Sequence, residues 1–229
     1  MYRSIDLFAG IGGIRLGFEQ AFKKDISTLF VSEWDSKAQE TYRANFKDNF
    51  AIQGDITKID EKSIPDHDIL LAGFPCQAFS LAGQKRGFED TRGTLFFDVS
   101  RIIKEKHPKV VFCENVKNLV NHDRGRTFQV ITEVLEDLGY TVFSKILNSK
   151  DFGVPQHRER IYIVAFRNDI APQTFNFPES TDPDKTIRDI VEENEVPSRY
   201  YLSDVYLESL RRHKQRHESK GNGFGYEIR

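Results

Sequence analysis

Ser4-Ile5-Asp6-Leu7-Phe8-Ala9-Gly10-Ile11-Gly12-Gly13 carries the signature from which the rest of the chain can be read. A short apolar run over residues 4–8 has the make-up of a strand and enters a glycine turn directly. From Ile14 onward Leu16, Phe18, Ala21 and Phe22 recur at helical spacing. Glycine lets the backbone approach a ligand closely, and a helix N-terminus offers unpaired N–H groups. Strand, glycine turn and helix therefore suggest a site for a nucleotide-like ligand, the alternative being an ordinary strand–helix turn. The dinucleotide fingerprint would place a third glycine at position 15, where Arg15 stands, so NAD fits poorly.

Outward from that stretch, short apolar runs alternate with helical patterns. Residues 27–31 predict a second strand and 36–45 a helix. A weak third strand is expected at 50–53, a fourth at 68–72 and a fifth at 109–113. Helices are expected at 94–106 and 127–138, the second closed by Gly139 as a C-cap. Residues 140–147 and 160–166 complete the strands. Strands separated by helices predict an α/β fold with a doubly wound, mostly parallel sheet. Such sheets bind ligands where loops leave the carboxyl ends of strands.

After Arg167 the texture changes. Residues 168–198 are polar, hold Pro172, Pro178, Pro183 and Pro197, and suggest one short helix at 186–192. Residues 201–218 form a helical pattern with Arg211, Arg212, Lys214 and Arg216, followed by the turn-like Gly221-Asn222-Gly223-Phe224-Gly225-Tyr226. The expected division is 1–170 for the chemistry and 171–229 for a connecting region.

Composition excludes several classes. Of 229 residues, 33 are Lys or Arg and 35 Asp or Glu, a net charge of −2, which excludes a histone-like binder but leaves room for a local basic face. A 38% hydrophobic and 12% aromatic content excludes a disordered chain. Two Cys exclude a disulfide scaffold and a Cys-rich zinc module. No apolar run approaches the roughly 20 residues of a membrane span. The N-terminus lacks a signal-peptide pattern, so a cytoplasmic protein with reduced thiols is expected.

Candidate chemistry gathers at the expected strand ends. Glu33-Trp34 follows the second strand; an acid about 20 residues past the glycine turn suits ribose hydroxyls, and the only Trp could stack on a base. The alternative for Trp34 is core packing. Asp55 could accept from an adenine amine, or cap the following turn. Gly73-Phe74-Pro75-Cys76-Gln77 places a Cys just past a strand, where a lowered pKa would make it a nucleophile. Cys113, inside an apolar strand, reads as core. Glu114-Asn115 is expected to follow the fifth strand and deliver a carboxyl to the same edge, a helix-capping pair being the alternative. In Gln156-His157-Arg158-Glu159-Arg160, Arg158 and Arg160 point the same way on an extended chain and could clamp an acid or phosphate; the alternative is a solvated turn. The long loop from Gln77 to Gly93, with Lys85, Arg86 and Arg92, could close over a polyanion, or be a surface loop.

In this order these pieces resemble the C5-cytosine DNA methyltransferase family of bacterial restriction-modification systems. The resemblance is carried by Asp6 to Gly13, by Gly73-Phe74-Pro75-Cys76-Gln77-Ala78-Phe79-Ser80, by Glu114-Asn115-Val116 and by the Gln156 to Arg160 run. Gly87-Phe88-Glu89-Asp90-Thr91-Arg92-Gly93-Thr94-Leu95-Phe96 is similar to the family's lid and the helix after it. The resemblance implies a Rossmann-like S-adenosyl-L-methionine-dependent fold, with S-adenosyl-L-homocysteine as product. It implies Cys76 as the nucleophile on C6 of a flipped-out cytosine, Glu114 as the acid on its N3 edge, Arg158 and Arg160 as holders of that acid, and Asn115 as an orienting residue. For the cofactor it implies Phe8, Gly10, Gly12, Gly13, Glu33, Trp34, Asp55, Ile56, Pro75 and Leu95. Gln77, Ser80, Lys85, Arg86 and Arg92 would belong to the lid and DNA contact.

Family members continue into a target-recognition domain and return to the first domain, whereas this sequence stops at Arg229; Gly221 to Tyr226 resembles the entry to that second domain. A split enzyme with a second polypeptide, a truncated remnant inactive alone, and a partial chain are the three readings. Double-stranded DNA is the expected partner and the bacterial nucleoid the expected place; tRNA methylation is the alternative chemistry.

Overall fold

The structure, a computed structural model, describes residues 1–75, 95–182 and 184–221. Its elements are β1 (Tyr2–Leu7), α1 (Gly13–Phe22), β2 (Ile26–Ser32), α2 (Ser36–Asn45), β3 (Ile69–Ala72), α3 (Leu95–Lys106), β4 (Val110–Val116), α4 (Arg126–Asp137), β5 (Tyr140–Asn148), β6 (Glu159–Arg167) and α5 (Asp204–Glu218). The strand order is β2-β1-β3-β4-β6-β5. β1 is parallel to β2 and β3, and β3 to β4, while β6 is antiparallel to both of its neighbours. Five strands thus share one direction and β6 opposes them, so the sheet is mostly parallel. From β1 the chain moves outward to β2 and then crosses back to β3. The switch point therefore lies between β1 and β3, beyond Leu7 and Ala72, where α/β sheets bind ligands.

Alternation along the strands sorts side chains to two faces. One face carries Ile5, Leu7, Leu70, Val111 and Ile163 against Val99 and Ile103 of α3 and Ile131 and Leu135 of α4. Truncating the fully buried Leu135 to Ala would cost about 2–5 kcal/mol. The other face packs Ile26, Ile69 and Leu71 against Ile14, Phe18 and Phe22 of α1. Cys113 lies in the first core, and burial pushes its thiol up to about 12, so it serves packing. Gly139, at φ +89°, follows the end of α4 in the left-handed conformation its role as a C-cap needs.

Three local expectations are corrected. Residues 50–53 form no strand: Gln53 makes a single bridge to Ser32, because the segment offers β2 only one pair of backbone bonds. Glu114 and Asn115 do not follow β4 but lie within it, since Tyr162 and Ile161 of β6 pair with them. The helix expected at 186–192 is one 3-10 turn, Ile187–Asp189, held by a Thr186–Asp189 capping box.

The chain divides into two compact units, residues 1–185 and 186–229. In the first, Phe175 lies 5.7 Å from Phe143 and 5.5 Å from Phe166, tying the segment after β6 to the sheet. In the second, Ser203 caps α5 by accepting from Tyr206 N at 3.4 Å. No described helix is long and apolar enough to cross a membrane.

Candidate active site

The glycine turn leaves β1 through backbone that ordinary residues avoid. Phe8 (φ +56°), Gly10 (φ +56°) and Gly12 (φ +90°) are all left-handed, which is uncommon for an aromatic residue and marks a constrained site. Glu33 braces the turn from the end of β2. Its Oε2 accepts from Gly10 N at 2.8 Å and its Oε1 from Asp35 N at 2.8 Å, while Gln39 Nε2 donates to its carbonyl. Glu33 is buried and both oxygens are engaged, yet a carboxylate has further lone pairs for a ligand hydroxyl.

Beside the turn lies a cavity of about 540 Å³, lined by Phe8, Glu33, Trp34, Asp55, Ile56, Gly73, Pro75 and Leu95 among others. Trp34 is 81% exposed at its rim, so core packing is not its role. Asp55 caps the following turn and also lines the cavity. Its Oδ1 accepts from Thr57 N at 3.1 Å and Thr57 Oγ1 at 2.8 Å, which hold its carboxyl below the usual range. Gly12 and Gly13 shape the start of α1 rather than this cavity, although Gly13 lines the next one.

A second cavity, of about 560 Å³, opens on the other side of Phe8 and Gly73 and is lined by Ile14, Phe18, Phe112, Glu114, Arg158 and Tyr162 among others. Glu114, which lines it, is paired with Arg160, whose Nε lies 3.0 Å from Glu114 Oε1. The two cavities meet at Gly73: a Cβ there would lie 3.2 Å from Ile14 Cδ1 and 3.8 Å from both Glu114 Oε2 and Phe8 O. Asn115 is buried and reaches the segment just past β3; its Nδ2 donates to Phe74 O at 2.8 Å, and its Oδ1 accepts from Val116 N at 2.8 Å. Asn115 thereby fixes the backbone two residues before Cys76.

Cys76, Gln77, Ser80, Lys85, Arg86 and Arg92 lie outside the described residues. Their described neighbours, Pro75 and Leu95, both line the first cavity. No group of three or more metal-ligating side chains occurs among the described residues.

Sequence reasoning missed four residues. Asn148 ends β5, and its Oδ1 accepts from Arg158 N at 3.1 Å, setting the turn that presents Arg158. Tyr162 pairs with Glu114 across β4 and β6. Asp6 is buried, and neither carboxyl oxygen has a hydrogen-bond partner among the described residues. Burial pushes its carboxyl up to about 7 against the field of Arg15, with Glu33 and Glu19 adding to the rise. Arg15, read as a break in a pattern, is buried in a ring of acceptors. Only the +2 spacing of Tyr162 from Arg160 could have been noticed in the sequence.

The pattern of the family described as C-5 cytosine-specific DNA methylase matches residues 2–229. Type II methyltransferase M.HpaII of Haemophilus parainfluenzae is 58% identical over 228 residues, covering 98% of this chain and 62% of that protein. Type II methyltransferase M.SsoII of Shigella sonnei is 55% identical over 229 residues, 99% of this chain and 59% of that protein. The chain thus spans about three-fifths of the length of these curated relatives. Among solved structures, a Spodoptera frugiperda DNMT2 variant superposes with a TM-score of 0.73 at 21% identity, covering 92% of this chain and 65% of that one. That likeness shows a shared fold.

Proposed function

The chain belongs to the C-5 cytosine-specific DNA methylase family, and from that premise we propose that it carries the catalytic part of a DNA cytosine-C5 methyltransferase. The observation that supports this best is the junction at Gly73. There a cavity with a buried ribose-type acceptor, Glu33, meets a cavity holding an Arg-paired carboxyl, Glu114. The residues of the first cavity fit S-adenosyl-L-methionine. Glu33 offers acceptors for ribose hydroxyls, Trp34 and Phe8 offer rings for adenine, Asp55 an acceptor for its amine, and Pro75 and Leu95 apolar walls. When bound, the cofactor supplies an electrophilic methyl carried on a positively charged sulfur.

The chain's own residues would prepare the base. A cytosine inside a duplex presents its ring face to neighbouring bases, so it must leave the stack at a cost of a few kcal/mol. The Cys76 thiolate adds to C6, and the ring electrons move so that C5 becomes nucleophilic. Glu114 bonds the N3 edge and, acting as an acid, gives a proton to N3, which offsets the negative charge that develops there. Arg160 holds the Glu114 carboxyl in place, and Arg158 faces the same cavity. Asn115 fixes the approach to Cys76 through Phe74. After methylation a water molecule takes the C5 proton, its bonding electrons form the C5–C6 double bond and expel the thiolate, and N3 returns its proton to Glu114, which restores the aromatic ring and the free Cys76.

Residues 1–170 would hold this chemistry, and 171–229 would lead toward a target-recognition domain in the same or a second polypeptide. Double-stranded DNA in the bacterial cytoplasm is the proposed substrate. The test is methyl transfer to duplex DNA, with tRNA assayed beside it. Cys76→Ser should reduce transfer to background and leave S-adenosyl-L-homocysteine binding unchanged. Undiminished transfer would remove the nucleophile from the account, and transfer confined to tRNA would replace the substrate.

A further inference from the structure

We propose that Arg15 is a positioning residue for the cofactor site, setting the spacing of its two walls from outside the cavity; the proposal rests on reading that cavity as the S-adenosyl-L-methionine site. Arg15 is 7% exposed and does not line the cavity. Its guanidinium reaches three places. Nε donates to Glu19 Oε1 on α1 at 2.6 Å, and Nη1 donates to Tyr42 Oη on α2 at 2.7 Å. Nη1 and Nη2 form a fork on Asp48, beyond α2, at 2.6 and 2.7 Å. The guanidinium carbon also lies 4.3 Å from the centre of the Phe46 ring. That ring packs flush against the N-cap of α1: a Cβ on Gly12 would sit 2.2 Å from Phe46 Cε2. The end of α2 therefore grips the glycine turn directly.

The start of α2 grips the other wall. Asp35 N and Gln39 Nε2 hold Glu33, and Glu33 holds Gly10 N. A closed circuit results: glycine turn, Glu33, α2, Asp48, Arg15 and back to the glycine turn. One wall of the cavity is Phe8, which leads into the turn, and the other is Glu33 with Trp34. Backbone bonds through Glu33 close one end of the circuit, whereas only side chains close the other. A planar fork on a carboxylate fixes direction as well as distance, which an ammonium cannot do. Opening the Arg15 end lets the two walls drift apart and lowers the fraction of molecules ready to bind. Apparent affinity falls by that fraction.

The experiment titrates S-adenosyl-L-homocysteine into the full chain by calorimetry and by emission of Trp34, the only Trp. Arg15→Lys keeps the charge and loses the fork; Asp48→Asn keeps the shape and loses the charge. Both should weaken binding about tenfold. Leu135→Ala, in the core on the far face of the sheet, should lower the unfolding temperature at least as much and bind like wild type. Should Arg15→Lys fail to fold, Asp48→Asn carries the comparison. Wild-type affinity in the Arg15 and Asp48 variants, or an equal loss in Leu135→Ala, would overturn the proposal by reducing Arg15 to a stabilising residue. No binding by the wild-type chain would overturn the cofactor reading itself, and this inference with it.

Discussion

Two carboxylates flank Gly73, and they are held in opposite ways. Glu33 is buried and takes a backbone N–H on each oxygen, from Gly10 and from Asp35. Glu114 leans on a side chain, Arg160, at 3.0 Å, and each of the pair keeps about a fifth of its side-chain surface exposed, 20% and 22%. Backbone donors cannot swing away, so Glu33 presents one rigid set of acceptors, as recognition of a small ligand requires. A partly exposed side-chain pair can shift as charge develops on a bound base, as a reacting group requires. The same functional group thus serves binding on one side and chemistry on the other, according to who its partners are.

Breaking the reactive side should give the larger effect. Glu114→Gln leaves an amide that can bond the N3 edge but cannot give up a proton to it, and methyl transfer should fall by about a hundredfold or more. S-adenosyl-L-homocysteine binding, read by calorimetry, should not change; a parallel loss of binding would erase the contrast between the two carboxylates.

Breaking the binding side comes next. In Glu33→Gln an amide N–H would face the N–H of either Gly10 or Asp35, and an unsatisfied buried donor costs about 1–3 kcal/mol. Cofactor affinity should drop about tenfold or more, since each 1.4 kcal/mol is tenfold. Transfer measured at saturating cofactor should stay near wild type. An unchanged dissociation constant would show that the two N–H bonds do not set this wall.

The smallest effect sharpens the comparison from below. Asp6 is a third carboxyl near this edge, fully buried, and it has neither kind of partner among the described residues. Its carboxyl titrates near 7 rather than at the ordinary 3.8, so the folded chain keeps a proton that the unfolded chain releases. The folded state then loses stability as pH rises from about 4 to about 7 and levels off above that. The charged groups acting on Asp6 are Arg15 and Glu19 of α1 and Glu33 beyond β2. Asp6→Asn removes this dependence. Because the new amide N–H groups also lack partners, the net gain at pH 8 should be about 1 kcal/mol, or about 2–4 °C in Tm. Near pH 4, where the wild-type carboxyl keeps its proton without cost, the gain should turn into a loss; equal melting curves for both proteins at every pH would contradict the titration of Asp6.

How far these features could be read in the sequence follows from the range of the forces involved. The glycine turn was legible because left-handed backbone at positions 10 and 12 demands glycine locally. The α2 helix, Ser36–Asn45, was legible because its Asp35 cap and its periodicity lie within one short segment. Glu114 and Asn115 were assigned past the strand end because the partners that extend β4, Tyr162 and Ile161, lie more than forty residues downstream. Arg15 read as a defect for the same reason: Tyr42 and Asp48 are 27 and 33 residues away. Asp6 gave no signal, since an acid at that place in a motif looks the same whether it is paired or orphaned.

The most direct test of the account is to trap the reaction on the sulfur. The chain, S-adenosyl-L-methionine and duplex DNA carrying 5-fluorocytosine are mixed, with a recognition-domain polypeptide added in a parallel sample. Peptide mass spectrometry then locates any cross-link. Fluorine cannot leave C5 as a proton does, so the account predicts a stable adduct through Cys76 that needs the cofactor and disappears in Cys76→Ser. An adduct on another residue, or none in either sample while S-adenosyl-L-homocysteine binds the chain, would contradict it.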